Sequence, residues 1–155
     1  LHERAKVGDS FLIRGGFGDF HYDQGWDGPV ALIAGGIGIT PLMSMLRYVD
    51  EARLNAEVVL LYSAHTPSEL LFYEQLQDLA ARNARVRCVF TVTHPQGETW
   101  DGRVGRIDLD LLREHIPAQD SLCYLCGPSA LQDDLSALLT SLGVEPSRIK
   151  LERWW

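Results

Sequence analysis

Five consecutive apolar residues, Val30-Ala31-Leu32-Ile33-Ala34, run straight into Gly35-Gly36-Ile37-Gly38-Ile39-Thr40-Pro41. Successive side chains of a strand point to opposite faces. A run with no polar alternation must therefore be covered on both sides, as a strand inside a parallel sheet is covered by helices. The glycines demand an abrupt turn. Thr40 and Pro41 suit the cap and first position of a helix whose apolar face is carried by Leu42, Met45, Leu46 and Val49.

The alternation continues to the end of the chain. EVVLLYS (57–63), VRCVFTV (86–92), SLCYLC (121–126) and RIKLERW (148–154) read as strands. SELLFYEQLQDLAARN (68–83), a short segment over Asp108–His115, and SALQDDLSALLTSL (129–142), ended by Gly143, read as helices. THPQGETWDGRVG (93–105) is a long loop. The expected fold is α/β, a doubly wound five-stranded parallel sheet whose ligands lie at the carboxyl ends of the strands. Upstream, DSFLIR (9–14) reads as one more strand leading into the glycine-aromatic loop GGFGDF, and HYDQGWDGP (21–29) as a turn-rich connection. A chain of 155 residues, 46% hydrophobic, is long enough to bury a core without disulfides. A net charge of −7 disfavours nucleic acid and anionic membranes as partners. No apolar run approaches the roughly 20 residues of a membrane span, and the first residues resemble no signal peptide or presequence. The chain begins at Leu1 and enters a strand almost at once, so a fragment of a longer protein is expected.

A glycine-rich turn between a buried strand and a helix lets the backbone approach a pyrophosphate, and the helix amides attract its charge. On this reading a side chain at Gly36 or Gly38 would crowd the phosphates. Gly36 onward reads GxGxxP, not the ordinary GxGxxG, and the end of the second strand, Tyr62-Ser63-Ala64-His65, lacks the acid that usually holds a ribose. The alternative is a turn with no ligand. Cys123-Tyr124-Leu125-Cys126 is formally CxxC. In a strand its alpha carbons lie about 10 Å apart with side chains on opposite faces, too far for a disulfide. The five histidines show no ligand spacing, and no metal site is expected. Cys126 ends its strand just before Gly127-Pro128 and a helix start, where a thiol can be reactive; the alternative is a small buried hydrophobe. Glu152, Trp154 and Trp155 close the chain, either as core cover or facing a planar cofactor. No GxSxG elbow or Walker sequence is present.

Taken together, GGxGxTP after the first strand, CGP after the fourth and Glu-x-aromatic at the end resemble the ferredoxin-NADP reductase superfamily from about Val7 to Trp155. The resemblance implies that residues 28–155 form an NAD(P)-binding domain, and residues 1–27 the last strand of a flavin-binding barrel with its linker. NAD(P)H and FAD would be the cofactors, with hydride passing from the first to the second. It would place Gly35, Gly36, Gly38, Thr40 and Pro41 at the pyrophosphate and nicotinamide ribose. Cys126, Gly127 and Pro128 would lie beside the nicotinamide, and Ser63, Thr93 and His94 near the adenine ribose. Glu152 and Trp154 would lie at the reacting centre. Leu131 stands where the family commonly has methionine, and the barrel motifs that hold the flavin would lie upstream of Leu1.

The resulting expectation is a flavin-dependent oxidoreductase domain handing electrons to an unspecified acceptor. Its alternatives are a nucleotide-binding or sensor module without catalysis, and a cysteine hydrolase built on Cys126. Thr93-His94-Pro95 stands where relatives using NADP place an arginine, so NADH is favoured, although Arg103, Arg106 or a protonated His94 could reach a 2′-phosphate. An acidic, disulfide-poor chain suits cytoplasm or mitochondrial matrix.

Overall fold

The computed structural model describes residues 4–153. Its strands are β1 (Val30–Gly35), β2 (Val58–Ala64), β3 (Val86–Val92), β4 (Arg103–Val104), β5 (Leu122–Cys126) and β6 (Ile149–Glu152). The helices are α1 (Ile39–Glu51), α2 (Tyr73–Arg82), α3 (Leu109–His115) and α4 (Ser129–Ser141). All strand pairings are parallel, in the order β4-β3-β2-β1-β5-β6.

Unbroken apolar strands acquire two cores because alternate residues serve opposite faces. Leu32, Ala34, Leu60, Tyr62, Tyr124 and Cys126 pack under α1 and α2, with Leu42, Leu46, Leu76 and Leu79. Ala31, Ile33, Val59, Leu61, Cys123 and Leu125 pack under α3 and α4, with Leu111, Leu112, Leu135 and Leu139. Cys123 and Cys126 therefore serve opposite cores, and both are free thiols.

The doubly wound parallel sheet is as expected, but it has six strands rather than five. Arg103–Val104 pairs beside Thr91 and Val92 at the edge, and the Thr91 hydroxyl donates to Gly105 O at 2.6 Å. Two exposed residues carry no periodicity, so this strand exists only by pairing. The strand expected over Asp9–Arg14 forms no ladder among the described residues. Phe11, Leu12 and Ile13 are exposed, and a strand without a neighbour leaves its backbone groups unpaired. The connection that follows is fastened to the sheet. Asp23 N–H donates to the Tyr124 hydroxyl at 2.8 Å, and the Phe20 ring meets Tyr124 edge-on.

The helix expected over 68–83 is also shorter. Residues Pro67–Glu69 form a 3-10 turn, Phe72 adopts a left-handed backbone at φ 60°, and α2 begins only at Tyr73. The fully buried Tyr62 explains the break. Its hydroxyl accepts from Leu71 N–H at 3.1 Å and donates to Glu69 O at 3.4 Å, supplying from the sheet the partners that a continuous helix would supply itself. Glu98, from the loop after β3, accepts from both the amide and the hydroxyl of Ser68. The last strand ends at Glu152 rather than 154; Trp154 and Trp155 lie outside the described residues.

Candidate functional site

In this strand order the chain winds from β1 toward β4 on one side and adds β5 and β6 on the other, so the crevice of the reversal lies between β1 and β5. At their carboxyl ends two backbone turns touch. A β-carbon built on Gly38 would stand 2.1 Å from Cys126 O and 2.7 Å from Gly127 N. One on Gly127 would stand 3.0 Å from Gly35 N, and one on Gly35 would stand 3.0 Å from Leu131 Cδ1. This corrects the reading of Gly38: the space it saves is taken by the end of β5, not by phosphates. Gly36 is the open position, with φ +53° and nothing within 4 Å of a β-carbon there.

The turn Gly36–Gly38 is a short 3-10 segment leading into α1. Gly38, not Thr40, is the N-cap, and Pro41 stands inside the first helical turn. The Thr40 hydroxyl donates back to Ile37 O at 3.1 Å instead of capping an amide. Neither the turn nor α1 has a side-chain cap, and neither carries an acid in its first turn. The positive end of the helix dipole therefore meets no carboxylate of its own.

Across the crevice, Cys126 pairs in register with Ala34 on one side and Glu152 on the other. It is 1% exposed, and its thiol is pushed up to about 11 by burial and then by the Glu152 charge. The helix start beyond Gly127 does not make it the low-pKa thiol that its position suggested. Gln132, which no sequence signal singled out, is 1% exposed on α4. Its side-chain Nε2 donates at 2.8 Å to both Gly127 O and Glu152 O, joining the Gly127-Pro128 turn to the end of β6.

Farther along the carboxyl edge, Thr93 and His94 come together with His65, a residue the sequence reading passed over. Thr93 Oγ1 lies 2.8 Å from His65 Nδ1 and 3.0 Å from His94 Nδ1. Ser63 is set apart from this group, 7% exposed and in register with Gly35. Arg103 is paired with Asp108 at 2.5 Å. Asp108 Oδ1 caps α3 by accepting from the Leu111 amide at 2.9 Å, which holds its carboxyl below the usual range, with Arg103 adding to the effect. A cleft of about 600 Å³ lined by Glu57, Arg85, Arg87 and His115 sits at the amino ends of β1–β3, the opposite end from the glycine turn. Open parallel sheets bind ligands at the carboxyl end, so the turn and not this cleft is the candidate site. Among the described residues no group of three or more His, Cys, Asp and Glu could hold a metal ion, and no helix is long and apolar enough to cross a membrane.

The thiols give a direct test. Cys88 and Cys123 are pushed up to about 12 by burial and Cys126 to about 11, against about 8.5 in an unfolded chain. The native state then holds protons that the unfolded state releases, so stability is complete below pH 8.5 and falls as pH rises toward 11. We expect unfolding midpoints to drop steeply between about pH 9 and 11, and a thiol reagent at about pH 8 to titrate the buried Cys123 and Cys126 only after denaturant is added. Rapid labelling of Cys126 in the folded protein would show that its thiol is open to the crevice.

The sequence profile of the oxidoreductase NAD-binding domain family matches residues 32–137. The flavohemoprotein of Oceanobacillus iheyensis is 31% identical over 152 residues, 98% of this chain and 37% of that protein. Oxidoreductase NAD-binding domain-containing protein 1 of Danio rerio is 32% identical over 173 residues, covering 100% of this chain and 63% of that protein. Among solved structures, the flavohem-like FAD/NAD-binding domain of nitric oxide dioxygenase from Vibrio cholerae superposes with a TM-score of 0.80 at 28% identity. The match covers 89% of this chain and 55% of that one. The chain thus spans less than two thirds of the length of these relatives.

Proposed function

The chain belongs to the oxidoreductase NAD-binding domain family, and on that premise we propose that it binds NAD(P)H and presents it to FAD held by a barrel preceding residue 28. The observation that carries this reading is the contact of the Gly35–Gly38 turn with Cys126-Gly127 at the sheet's reversal, with an uncapped α1 behind the turn. A pyrophosphate fits this place because Gly36 leaves the approach open and the helix end supplies the favourable field.

Bound nicotinamide supplies a hydride and bound flavin accepts it; the chain's part is placement. Gly35, Gly36 and Gly38 shape the phosphate turn, and Thr40 and Pro41 fix the start of α1 beside the nicotinamide ribose. Gly127 and Pro128 form the opposite wall. Cys126 and Glu152, adjacent in register, mark the reacting end, and Trp154 is assigned in this reading to cover the flavin. Ser63, Thr93 and His94 border the adenine ribose. Residues 1–27 belong to the barrel and its linker in this reading, and their exposed Phe11, Leu12, Ile13 and Phe17 are the apolar surface such a barrel would cover.

NADH is the favoured donor because Arg103, a candidate for gripping a 2′-phosphate, is engaged with Asp108. The test is anaerobic bleaching of the full-length, flavin-loaded protein with NADH and NADPH side by side. NADH should bleach the flavin with the higher kcat/KM. A preference of about tenfold or more for NADPH, equivalent to about 1.4 kcal/mol, would reverse the cofactor assignment. The burial of Cys126 favours a second reading, a nucleotide-binding module without catalysis. It predicts saturable nucleotide binding with no bleaching by either donor.

A further inference from the structure

We propose that His65, His94 and Thr93 form a binding site for a divalent late first-row transition-metal ion, held by the two Nδ1 atoms with the threonine hydroxyl as the third donor. The fold itself sets these residues side by side. Past the paired ends of β2 and β3, Thr93 N–H donates to Ala64 O at 3.0 Å and His94 N–H to His65 O at 2.8 Å. Two histidines far apart in sequence are thereby fixed on neighbouring strand ends, with both rings exposed to solvent.

Three polar atoms converge there. The two Nδ1 atoms are 3.2 Å apart, and each lies within 3.0 Å of Thr93 Oγ1. Hydrogen bonding closes two sides of this triangle: one ring donates its Nδ1–H to Thr93 Oγ1, and the hydroxyl donates to the other Nδ1. The third contact, between the two ring nitrogens, has no hydrogen of its own. A proton on the accepting Nδ1 would set N–H against N–H. A cation accepts lone pairs from all three atoms at once.

The ring geometry agrees independently. Suppose both Nδ1 lone pairs point at one ion about 2.0–2.1 Å away. Nitrogens 3.2 Å apart then require ring centres about 5 Å apart, with an angle at the ion of about 100°. The ring centroids are 5.0 Å apart, with the planes inclined at 69°. Two imidazoles and a neutral oxygen, with the remaining positions left to water, suit Zn²⁺, Ni²⁺ or Cu²⁺ over Mg²⁺ or Ca²⁺, which favour all-oxygen shells. This inference does not rest on the nucleotide reading.

The test is calorimetric titration of tag-free protein with Zn²⁺ in a non-chelating buffer, repeated with Mg²⁺. One saturable Zn²⁺ site is expected, with no Mg²⁺ response. His65→Ala and His94→Ala should each weaken it by more than about tenfold, whereas Thr93→Val has a smaller effect. His21→Ala, remote from the cluster, should leave it unchanged. All three histidines are exposed, so folding is checked by circular dichroism and is expected to persist. As a second readout, Co²⁺ should shift the ring protons of His65 and His94 ahead of those of His21 and His115. Absence of saturable Zn²⁺ binding, or an unchanged titration in the His65→Ala, His94→Ala double variant, would overturn the site.

Discussion

Gly38→Ala should be among the most damaging single-methyl additions to this protein, and its damage should be to the fold. The added carbon would stand 2.1 Å from Cys126 O and 2.4 Å from Cys126 C, backbone atoms at the end of a central strand that cannot swing aside as a side chain can. Relief requires α1 to lift from β5, and with it the packing of Ile39 and Leu42, both fully buried. A loss of more than about 3 kcal/mol follows, at the severe end of single substitutions, or a midpoint lower by about 6–12 °C for a domain of this size. Gly38→Val should not fold. Gly36→Ala is the informative contrast. Its β-carbon meets nothing, and its φ of +53° costs about 1 kcal/mol, so the variant should fold nearly normally and lose nucleotide affinity. Equal thermal stability for Gly38→Ala and wild type would show that the two turns do not touch as described. Undiminished nucleotide binding by folded Gly36→Ala would remove the glycine turn from the site.

Gln132 should be the second most sensitive position, and its response to charge should identify its role. Its amide nitrogen is the donor shared by Gly127 O and Glu152 O. Gln132→Leu leaves both carbonyls without that donor, costing about 2–4 kcal/mol. Gln132→Glu is harsher at neutral pH, because a buried carboxylate would face two carbonyl oxygens. That carboxyl should be held protonated in the folded state, its pKa raised above the unfolded value of about 4.3. Stability of the variant is then greatest below about pH 4 relative to wild type and falls as pH rises through the raised native value. Comparing urea midpoints of Gln132→Glu and wild type from acid to neutral pH checks this, and a pH-independent gap between them would rule out a buried carboxyl in that position. Both variants should also loosen the relation of Glu152 to Gly127-Pro128, visible as faster amide exchange at the end of β6.

Much of the architecture was legible because it depends on local chemistry. The unpolarised run over Val30–Ala34 reads as an interior parallel strand, and the alternating segments after it favour a sheet with helices on both faces. The separation of Cys123 from Cys126 followed from the two-residue period alone. What failed was local only in appearance. The helix expected from Ser68 is interrupted because Tyr62, on a strand, takes over the hydrogen bonds of Glu69 and Leu71. The edge strand Arg103–Val104 is too short to carry a pattern.

The candidate site divides the same way. The sequence by itself determined which turns lie at the carboxyl edge, since glycine spacing and strand ends are properties of the chain near each residue. Only the tertiary structure decided that Gly38 serves the end of β5, that Cys126 is sealed, that Gln132 joins two turns, and that His65 stands against His94. Each of these depends on a contact between residues brought together by the parallel crossover of strands distant in the chain. Periodicity records which face a side chain must hide, and carries no information about which distant atom it will meet there.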